Sequence, residues 1–420
     1  MDKILVRGGT RLSGTVRANA SKNAALPILA ATLLADEPVE LTNPPLLRDT
    51  TNMLRLLEAL GVEVEHQEGG GVRCRSVNED LVTAPYELVS AMRGSVCVLG
   101  PLLARRQRAK VSLPGGCVFG VRPIDLHLKG LRALGAEIEI EHGYVVAEAE
   151  RLVGTEIYLG SAFGSTVLGT ANVLMAAVLA EGRTIIENAA CEPEVQDLVT
   201  ILNKMGADIR GMGTHRLEVH GVERLGGTTH SVIPDRIDAA TMLVAGVITG
   251  GDVCVEGMVP SHVTAVLEKI REVGCHVECG EDWVRVRPNG GLKPTDLTTL
   301  PFPGFPTDLQ AQFVSLLSVV DGMSLVTEKV YPDRFIHVAE LHRMGADIRK
   351  EGPTVIIRGV DKLSGAPVMA SDLRASAALV LAGLVAKGET EIHRVYHLDR
   401  GYERIEERLA KLGADIERVK

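Results

Sequence analysis

One pattern of apolar and charged residues occurs six times along the chain. Each copy begins with apolar residues at helical spacing, as in residues 51–60, which predicts an amphipathic helix. A glycine follows where a helix end favours a left-handed residue, and alternating apolar and charged residues then predict a half-exposed strand. The six glycines lie 68 to 74 residues apart and are Gly61, Gly135, Gly206, Gly274, Gly345 and Gly413. This period indicates one supersecondary unit used six times.

A second helix, rich in alanine, leucine and valine, also recurs six times. The segments are residues 24–36, 96–104, 166–182, 239–250, 309–322 and 376–388. They are apolar nearly all round, so they predict buried helices rather than surface ones. The longest apolar run, residues 377–386, has 10 residues counting glycine, which is too short to span a bilayer. Buried helices combined with strands polar on one face predict helices inside and sheets outside.

Composition narrows the class of protein. The chain has 420 residues, enough for two or three domains, and its 45% hydrophobic residues support ample cores. An aromatic content of 3% and a net charge of −9 argue against a nucleic-acid-binding protein. Seven cysteines without Cys-x-x-Cys spacing indicate a reducing compartment, and Cys275, His276 and Cys279 lack a second ligand pair for zinc. The sequence begins without a signal-peptide pattern, so we expect a soluble cytoplasmic protein with no membrane partner.

The starts of the six apolar helices differ from one another. Four of them carry a lysine or an arginine, namely Lys22, Arg93, Arg236 and Arg374. The positive end of a helix dipole disfavours a cation by roughly 0.3–1 kcal/mol. Each long side chain could simply bend away to solvent. If the helices instead run parallel and share a cleft, their N–H groups and cations predict a site for a ligand with several negative charges, such as phosphates and a carboxylate.

Three further segments carry candidate chemistry. Cys117 stands in a glycine-rich segment five residues before Arg122, so it is either a core thiol or a thiol beside an anion site. Asp308, in Phe-Pro-Thr-Asp, either caps the following helix or has a chemical role. Arg400 stands between a strand and the last amphipathic helix, a usual place for ligand contacts.

On these segments the sequence resembles the UDP-N-acetylglucosamine 1-carboxyvinyltransferase family, the peptidoglycan branch of the enolpyruvyl transferases. The resemblance covers residues 1–420 and rests on residues 22–27, 113–125, 305–313, 372–383 and 399–403. The Pro-Gly-Gly-Cys loop together with Phe-Pro-Thr-Asp separates this branch from the related shikimate-pathway synthases.

The resemblance implies an α/β fold of two inside-out, barrel-like domains, each of three βαβαββ-type repeats. The implied inserted domain is residues 21–230, which carries the Cys117 loop. The implied second domain is discontinuous, comprises residues 1–20 and 231–420, and carries the candidate general base. Helix N-termini would face a cleft between the two domains.

The resemblance also implies a reaction. The enolpyruvyl group of phosphoenolpyruvate would be transferred to the 3′-hydroxyl of UDP-N-acetylglucosamine with release of phosphate, the first committed step of peptidoglycan synthesis. Cys117 would protonate C-3 of the enol, and Asp308 would accept the hydroxyl proton. No metal or organic cofactor is needed, and we expect a monomer.

The implied site residues fall into several groups. Lys22, Arg93, Arg122 and Arg400 would contact phosphoenolpyruvate, with Arg374 nearby, and Asn23 would bond the transferring group. Cys117, Asp308, Lys22 and Arg400 form the implied catalytic set. The uridine nucleotide would be bound by residues Arg122, Pro123, Ile124, Asp125 and Leu126 on its uridine side, by Ala162, Phe163 and Gly164 at its diphosphate, and by Asp308 and Val330 at its sugar.

The sequence departs from the family pattern at three places. Gly160 stands where many relatives carry a lysine, Ala20-Ser21 replaces a more usual Gly-Ala, and Cys191 replaces a common arginine. The missing lysine supports an alternative, a non-catalytic paralogue that binds UDP-sugars and serves regulation. A third hypothesis makes shikimate 3-phosphate the acceptor, but Cys117 and the uridine-side segment argue against it.

Overall fold

The computed structural model describes residues 2–114, 124–162 and 164–420. These residues form two compact units. The outer unit contains residues 2–19 and 234–420, and the inserted unit contains the described residues from 20 to 233. Each unit has its own hydrophobic core.

The strands of the described residues are short, and most of them have five residues or fewer. They are β1 (Lys3–Arg7), β2 (Ser13–Arg17), β3 (Val39–Leu41), β4 (Val62–His66), β5 (Val72–Ser76), β6 (Thr83–Ala84), β7 (Arg108–Ser112), β8 (Glu137–Glu141), β9 (Tyr144–Glu148), β10 (Glu156–Tyr158), β11 (Gly160–Ser161), β12 (Gly164–Ser165), β13 (Arg183–Glu187), β14 (Asp208–Arg210), β15 (Arg216–His220), β16 (Thr228–His230), β17 (Asp252–Glu256), β18 (Cys275–Cys279), β19 (Trp283–Pro288), β20 (Leu297–Thr298), β21 (Met323–Thr327), β22 (Asp347–Glu351), β23 (Thr354–Arg358), β24 (Pro367–Met369), β25 (Glu389–His393) and β26 (Asp415–Val419).

The helices alternate with these strands. They are α1 (Lys22–Ala31), α2 (Arg48–Ala59), α3 (Tyr86–Val89), α4 (Leu99–Arg106), α5 (Asp125–Ala133), α6 (Val167–Ala177), α7 (Pro193–Lys204), α8 (Arg236–Ile248), α9 (Thr264–Glu272), α10 (Gln310–Leu317), α11 (His337–Arg343), α12 (Ala375–Val385) and α13 (Ile405–Lys411). Short 3-10 helices cover Thr32–Leu34, Arg93–Val98, Pro260–Val263, Thr307–Leu309 and Val395–Arg400. Among the described residues, none of the helices combines the length and apolarity that crossing a membrane requires.

Each unit contains three four-stranded sheets with one common pairing scheme, in which a parallel pair at one edge is followed by two antiparallel pairs. In the outer unit the orders are β2-β17-β19-β18, β20-β21-β23-β22 and β24-β25-β1-β26. In the inserted unit they are β16-β3-β5-β4, β6-β7-β9-β8 and β10-β13-β15-β14. Because β16 returns to β3, and β1 lies between β25 and β26, each unit closes on itself.

The predicted repeat is present in the element order. One example is β6-α4-β7-α5-β8-β9, which has the βαβαββ arrangement with the short α3 and the 3-10 helix Arg93–Val98 inserted between β6 and α4. All six repeated glycines have positive φ angles, from 79° at Gly61 to 107° at Gly206, as the helix, cap and strand interpretation requires.

The apolar helices lie inside each unit. In the outer unit α8, α10 and α12 contact one another, and in the inserted unit α6 contacts α1 and α4. Every residue of α12 except Val385 is buried, whereas strand β9 buries only every second residue, Val145 and Ala147. The predicted inside-out arrangement is therefore confirmed within each unit.

The close contact between α4 and α6 depends on Gly100. Its amide donates a hydrogen bond of 2.8 Å to Asn172 Oδ1, and a Cβ added at Gly100 would lie 2.2 Å from the backbone oxygen of Asn172. Since a backbone oxygen in a helix cannot swing aside, we expect Gly100→Ala to push the helices apart and destabilise the protein by roughly 1–3 kcal/mol. Thermal unfolding measures this effect. Gly291→Ala is the control because its Cβ would meet nothing within 4 Å. Equal midpoints for the two variants would contradict this packing.

Candidate active site

In the outer unit the starts of α8, α10 and α12 meet in a network of charged side chains. Asp235 caps α8, with Oδ1 accepting hydrogen bonds from the amides of Ile237 and Asp238 at 2.9 and 3.1 Å. Its Oδ2 accepts a hydrogen bond of 2.7 Å from Nη2 of Arg374, the residue before α12. Arg374 Nη1 donates to the carbonyl oxygen of Gly401 at 2.7 Å. The three helix starts therefore lie together within this unit.

Arg334 joins Asp308 to Asp372. Its Nη1 donates to Asp308 Oδ1 at 2.6 Å and its Nε donates to Asp372 Oδ2 at 3.0 Å. Burial opposes the charge on Arg334, but Asp372 and Asp308 outweigh it and raise the pKa of the guanidinium. Burial likewise opposes the charge on Asp372, but Arg334 outweighs it and lowers the pKa of that carboxyl. Arg334 and Asp372 therefore both carry their charges at neutral pH.

Asp308 is the most accessible member of this network. Its side chain is 24% exposed, whereas the side chains of Arg334, Asp372, Arg374 and Asp235 are 6%, 3%, 1% and 3% exposed. Asp308 lies inside the 3-10 helix Thr307–Leu309, and the cap position of α10 is Leu309. The capping alternative for Asp308 is therefore not what the structure shows, and its carboxylate can be reached by a bound molecule.

Buried neutral side chains also form hydrogen bonds and ring contacts with members of this network. Gln312 Nε2 donates to the backbone oxygen of Asp308 and to the Tyr402 hydroxyl, both at 3.0 Å. The Tyr402 hydroxyl is also 2.9 Å from Thr241 Oγ1, and the guanidinium of Arg374 lies 5.0 Å from the centre of the Tyr402 ring. Burial raises the pKa of Tyr402 to about 12, so its phenol stays neutral beside the Arg374 guanidinium.

Because Asp235 and Arg374 form a buried ion pair, we expect the loss of either charge to destabilise the protein. Asp235→Asn keeps a capping side chain for α8 but removes the charge that faces Arg374, whose side chain is 1% exposed. Removing one partner of a buried ion pair costs about 3–5 kcal/mol, so we expect the midpoint of thermal unfolding to fall by several degrees. Asp361→Asn, at an exposed position, is the control. A midpoint within a degree of the control would show that Arg374 does not depend on Asp235.

In the inserted unit, Lys22 is buried rather than turned to solvent. It is the first residue of α1, which Ser21 caps by accepting a hydrogen bond of 3.3 Å from the amide of Ala24. Lys22 Nζ lies 3.2 Å from Asp49 Oδ2 in the first turn of α2, and the two side chains are 5% and 3% exposed. Asn23 is half-buried in the same turn of α1.

Arg93 begins the 3-10 helix Arg93–Val98 that leads into α4, and it is half-buried. That 3-10 helix contacts both α1 and α6. Burial, with a smaller contribution from the charge of Arg93, lowers the pKa of His127 to about 3. The segment that begins with Arg93 therefore packs against both α1, whose first residue is Lys22, and α6.

The predicted nucleotide-side residues lie on α5 and on the β11–β12 hairpin. Ile124 is buried, Asp125 is exposed and Leu126 is half-buried at the start of α5. Ala162 is exposed in the hairpin, and Gly164 has a φ of 96°.

A cation lies beside this hairpin although position 160 has no lysine. A Cβ at Gly160 would lie 2.4 Å from the Tyr158 ring, so the ring packs directly on the glycine. Lys129 Nζ lies 5.5 Å from the centre of that ring and donates to the Tyr158 carbonyl oxygen at 2.7 Å.

The remaining predicted residues are placed as follows. Val330 is half-buried, and its amide donates to Glu328 Oε1 at 2.8 Å. Arg400 ends the 3-10 helix Val395–Arg400, is half-buried and precedes Gly401, which accepts from Arg374. Four predicted residues, Cys117, Arg122, Pro123 and Phe163, lie outside the described residues.

Within the described residues, no group of three or more His, Cys, Asp or Glu side chains could hold a metal ion.

Sequence reasoning missed Arg334, Glu328, Gln312 and Thr241. Arg334 follows Tyr-Pro-Asp in a loop, and Glu328 follows a strand, so neither interrupts a periodic pattern. Gln312 and Thr241 do stand out as polar residues inside apolar helices, and that signal could have been used.

Comparison with known proteins identifies the family. A family model described as EPSP synthase (3-phosphoshikimate 1-carboxyvinyltransferase) matches residues 6–409. A protein of Coxiella burnetii (strain RSA 493 / Nine Mile phase I) named UDP-N-acetylglucosamine 1-carboxyvinyltransferase is 53% identical over 421 residues, covering 100% of this chain and 96% of its own length. A protein of the same name from Myxococcus xanthus (strain DK1622) is 53% identical over 422 residues and covers 100% of both chains.

Solved structures agree with this family. The enolpyruvyl transferase NikO from Streptomyces tendae has a TM-score of 0.89 at 26% identity and covers 100% of this chain and 99% of its own. EPSP synthase from Acinetobacter baumannii has a TM-score of 0.76 at 20% identity over 100% of both chains, a likeness of fold. The predicted fold class is thereby confirmed, and the chain belongs to the enolpyruvyl transferase family of the EPSP synthases and UDP-N-acetylglucosamine 1-carboxyvinyltransferases.

Proposed function

We propose that this protein transfers the enolpyruvyl group of phosphoenolpyruvate to the 3′-hydroxyl of UDP-N-acetylglucosamine and releases phosphate. Full-length relatives at 53% identity carry the name of this activity. The structural observation that carries the proposal is the accessible carboxylate of Asp308, held by Arg334 at the meeting point of three helix starts.

The chemistry requires an acid and a base. Protonation of C-3 of the enol leaves oxocarbenium character at C-2, where the sugar hydroxyl forms the new C–O bond and loses its proton. Phosphate then leaves C-2 as a proton is lost from C-3, so atoms and charges balance. Asp308 is the proposed base for the hydroxyl, and Cys117 is the proposed acid for C-3.

The arrangement of Asp308 suits a base of this kind. Arg334 Nη1 donates to Oδ1 at 2.6 Å, and Arg374 Nε lies 3.9 Å from Oδ2 and forms a second ion pair. The carboxylate is therefore oriented by two arginines and is partly exposed. A proton acceptor needs both properties, because the hydroxyl must approach within hydrogen-bond distance and the base must not rotate away.

The two anionic substrates require cations. Lys22 and Arg93 at the starts of the inserted unit's helices, together with Arg122 and Arg400, are the proposed contacts of phosphoenolpyruvate, and Asn23 is the proposed contact of the transferring group. Arg374 is proposed to act mainly by fixing the helix starts, since Asp235 and Gly401 already accept from its Nη atoms.

The uridine nucleotide is proposed to bind along residues 122–126 and the β11–β12 hairpin, with Asp308 and Val330 at the sugar. We also propose that the protein is a cytoplasmic monomer in peptidoglycan synthesis. The thiol of Cys117 would be the group that the epoxide fosfomycin alkylates.

The alternative of a non-catalytic UDP-sugar-binding paralogue rested on the missing lysine at position 160. Lys129, which bonds Tyr158 beside Gly160, supplies a positive charge near the same hairpin and weakens that alternative.

An acceptor competition assay tests the proposal. Phosphate release from phosphoenolpyruvate is measured with UDP-N-acetylglucosamine, with shikimate 3-phosphate, or with both, and the product is identified by mass spectrometry. We expect release with the UDP-sugar alone and a product carrying the enolpyruvyl group. Absence of release at every pH would favour the binding paralogue, and release with shikimate 3-phosphate alone would favour the other acceptor.

A further inference from the structure

Glu328 is a fully buried carboxylate that the proposed reaction does not use. It directly follows β21 and is 0% exposed. Four neutral donors bond it. Thr299 Oγ1 and the amides of Val330 and Tyr331 donate to Oε1 at 2.5, 2.8 and 2.9 Å, and Thr307 Oγ1 donates to Oε2 at 2.8 Å. Burying a charge is costly unless it is hydrogen-bonded in this way, so the carboxylate is held firmly in one orientation.

The bond from Thr307 connects Glu328 to the candidate base. A carboxylate only accepts hydrogen bonds, so Thr307 must give its single hydroxyl proton to Glu328. The hydroxyl oxygen then accepts from Arg334 Nη1 at 3.1 Å, and the same Nη1 donates to Asp308 Oδ1 at 2.6 Å. In the series of hydrogen bonds that links Glu328 to Asp308, the donor and the acceptor of each bond are therefore fixed.

Glu328 also fixes a second segment. The amides of Val330 and Tyr331 both point at Oε1, and Thr299 Oγ1 accepts from the amide of Lys329 at 3.0 Å. The turn after β21 is thereby tied to the same carboxylate as the Thr307–Leu309 helix. One side chain thus sets the positions of two segments that carry proposed site residues.

We propose that Glu328 is a positioning residue for the transfer reaction, which orients the Asp308 carboxylate through Thr307 and Arg334. This inference rests on the proposed function. Glu328 is not expected to touch a substrate, because it is completely buried.

Glu328→Gln is the principal test. Its amide group can donate to Thr307, which reverses the direction of that bond and leaves the Thr307 hydroxyl without its acceptor. Because small misplacements of a reacting group cost rate rather than binding, we expect kcat to fall about 10- to 100-fold, with the KM for phosphoenolpyruvate within about twofold of the original. Glu406→Gln, which replaces another buried glutamate of the outer unit, is the matched control and should keep full kcat.

A second pair of variants tests the route. Thr307→Val removes the hydroxyl and should cause a similar loss of kcat, whereas Thr307→Ser retains the hydroxyl and should recover most of it. Thr249→Val is the control for removal of a buried hydroxyl. Thr249 lies at the end of α8, where its hydroxyl donates to the carbonyl oxygen of Ala245. If Glu328→Gln does not fold, these threonine variants decide the question alone.

The double variant tests whether Glu328 acts through Thr307 or independently of it. If Glu328 acts through Thr307, then Glu328→Gln with Thr307→Val should be no slower than the slower single variant, within about twofold. Two results would overturn the inference while leaving the proposed function intact. One is a double variant whose loss of kcat equals the product of the two single losses. The other is a Glu328→Gln variant that keeps at least half the original kcat. An unmodified protein that releases no phosphate would overturn both.

Discussion

Replacing Cys117 with serine should abolish phosphate release at neutral pH. A serine hydroxyl is a far weaker acid than a thiol, so C-3 of the enol would lose its proton donor. Loss of one general acid corresponds to about 10²–10⁴-fold in kcat. Initial rates of phosphate release measure the effect, and the epoxide fosfomycin should no longer add its mass to the chain.

Cys279→Ser is the matched control for the thiol, because Cys279 is an exposed cysteine of the outer unit. It should keep the original kcat and remain sensitive to fosfomycin. If Cys117→Ser retained full activity, the thiol would have no part in the mechanism, and another acid would have to be sought.

Asp308→Asn should lower kcat by about 10²–10⁴-fold and leave KM for both substrates nearly unchanged, because an amide cannot accept the hydroxyl proton. The amide oxygen can still accept from Arg334 Nη1, so the fold of the network should be retained. Steady-state kinetics with each substrate varied in turn give the two constants separately.

Asp333→Asn provides the comparison, since Asp333 is 78% exposed and close in sequence to Arg334. Its kinetics should match those of the unmodified protein. A rise in KM alone for Asp308→Asn would make Asp308 a substrate-binding residue and would leave the base unassigned.

The fold could be predicted in large part because its signals are local. The glycines at the ends of the amphipathic helices adopt the positive φ that the pattern indicated. The apolar helices are buried as their composition predicted. Which strand pairs with which could not be read from spacing, since β1 pairs with β25 and β26, more than 380 residues away.

The candidate site could be predicted only in part. The sequence marks Arg374 as an unusual cation at a helix start, but its Nη2 bonds Asp235, which is 139 residues away in sequence. A local pattern cannot reveal such a partner. Arg334 and Glu328 stand in loops or at strand ends, where single polar residues carry no periodic signal, and only the folded chain shows that they converge on Asp308.

The position of β1 between β25 and β26 has a consequence for biosynthesis. Every described strand of the inserted unit's sheets lies within residues 20–233, so that unit can fold while the rest of the chain is still on the ribosome. The outer unit can be completed only after β26 has been translated, because Leu5 of β1 is paired with Glu417 of β26. Strand β1 therefore pairs only after β25 and β26 have been translated, and until then its edges are unpaired in the nascent chain.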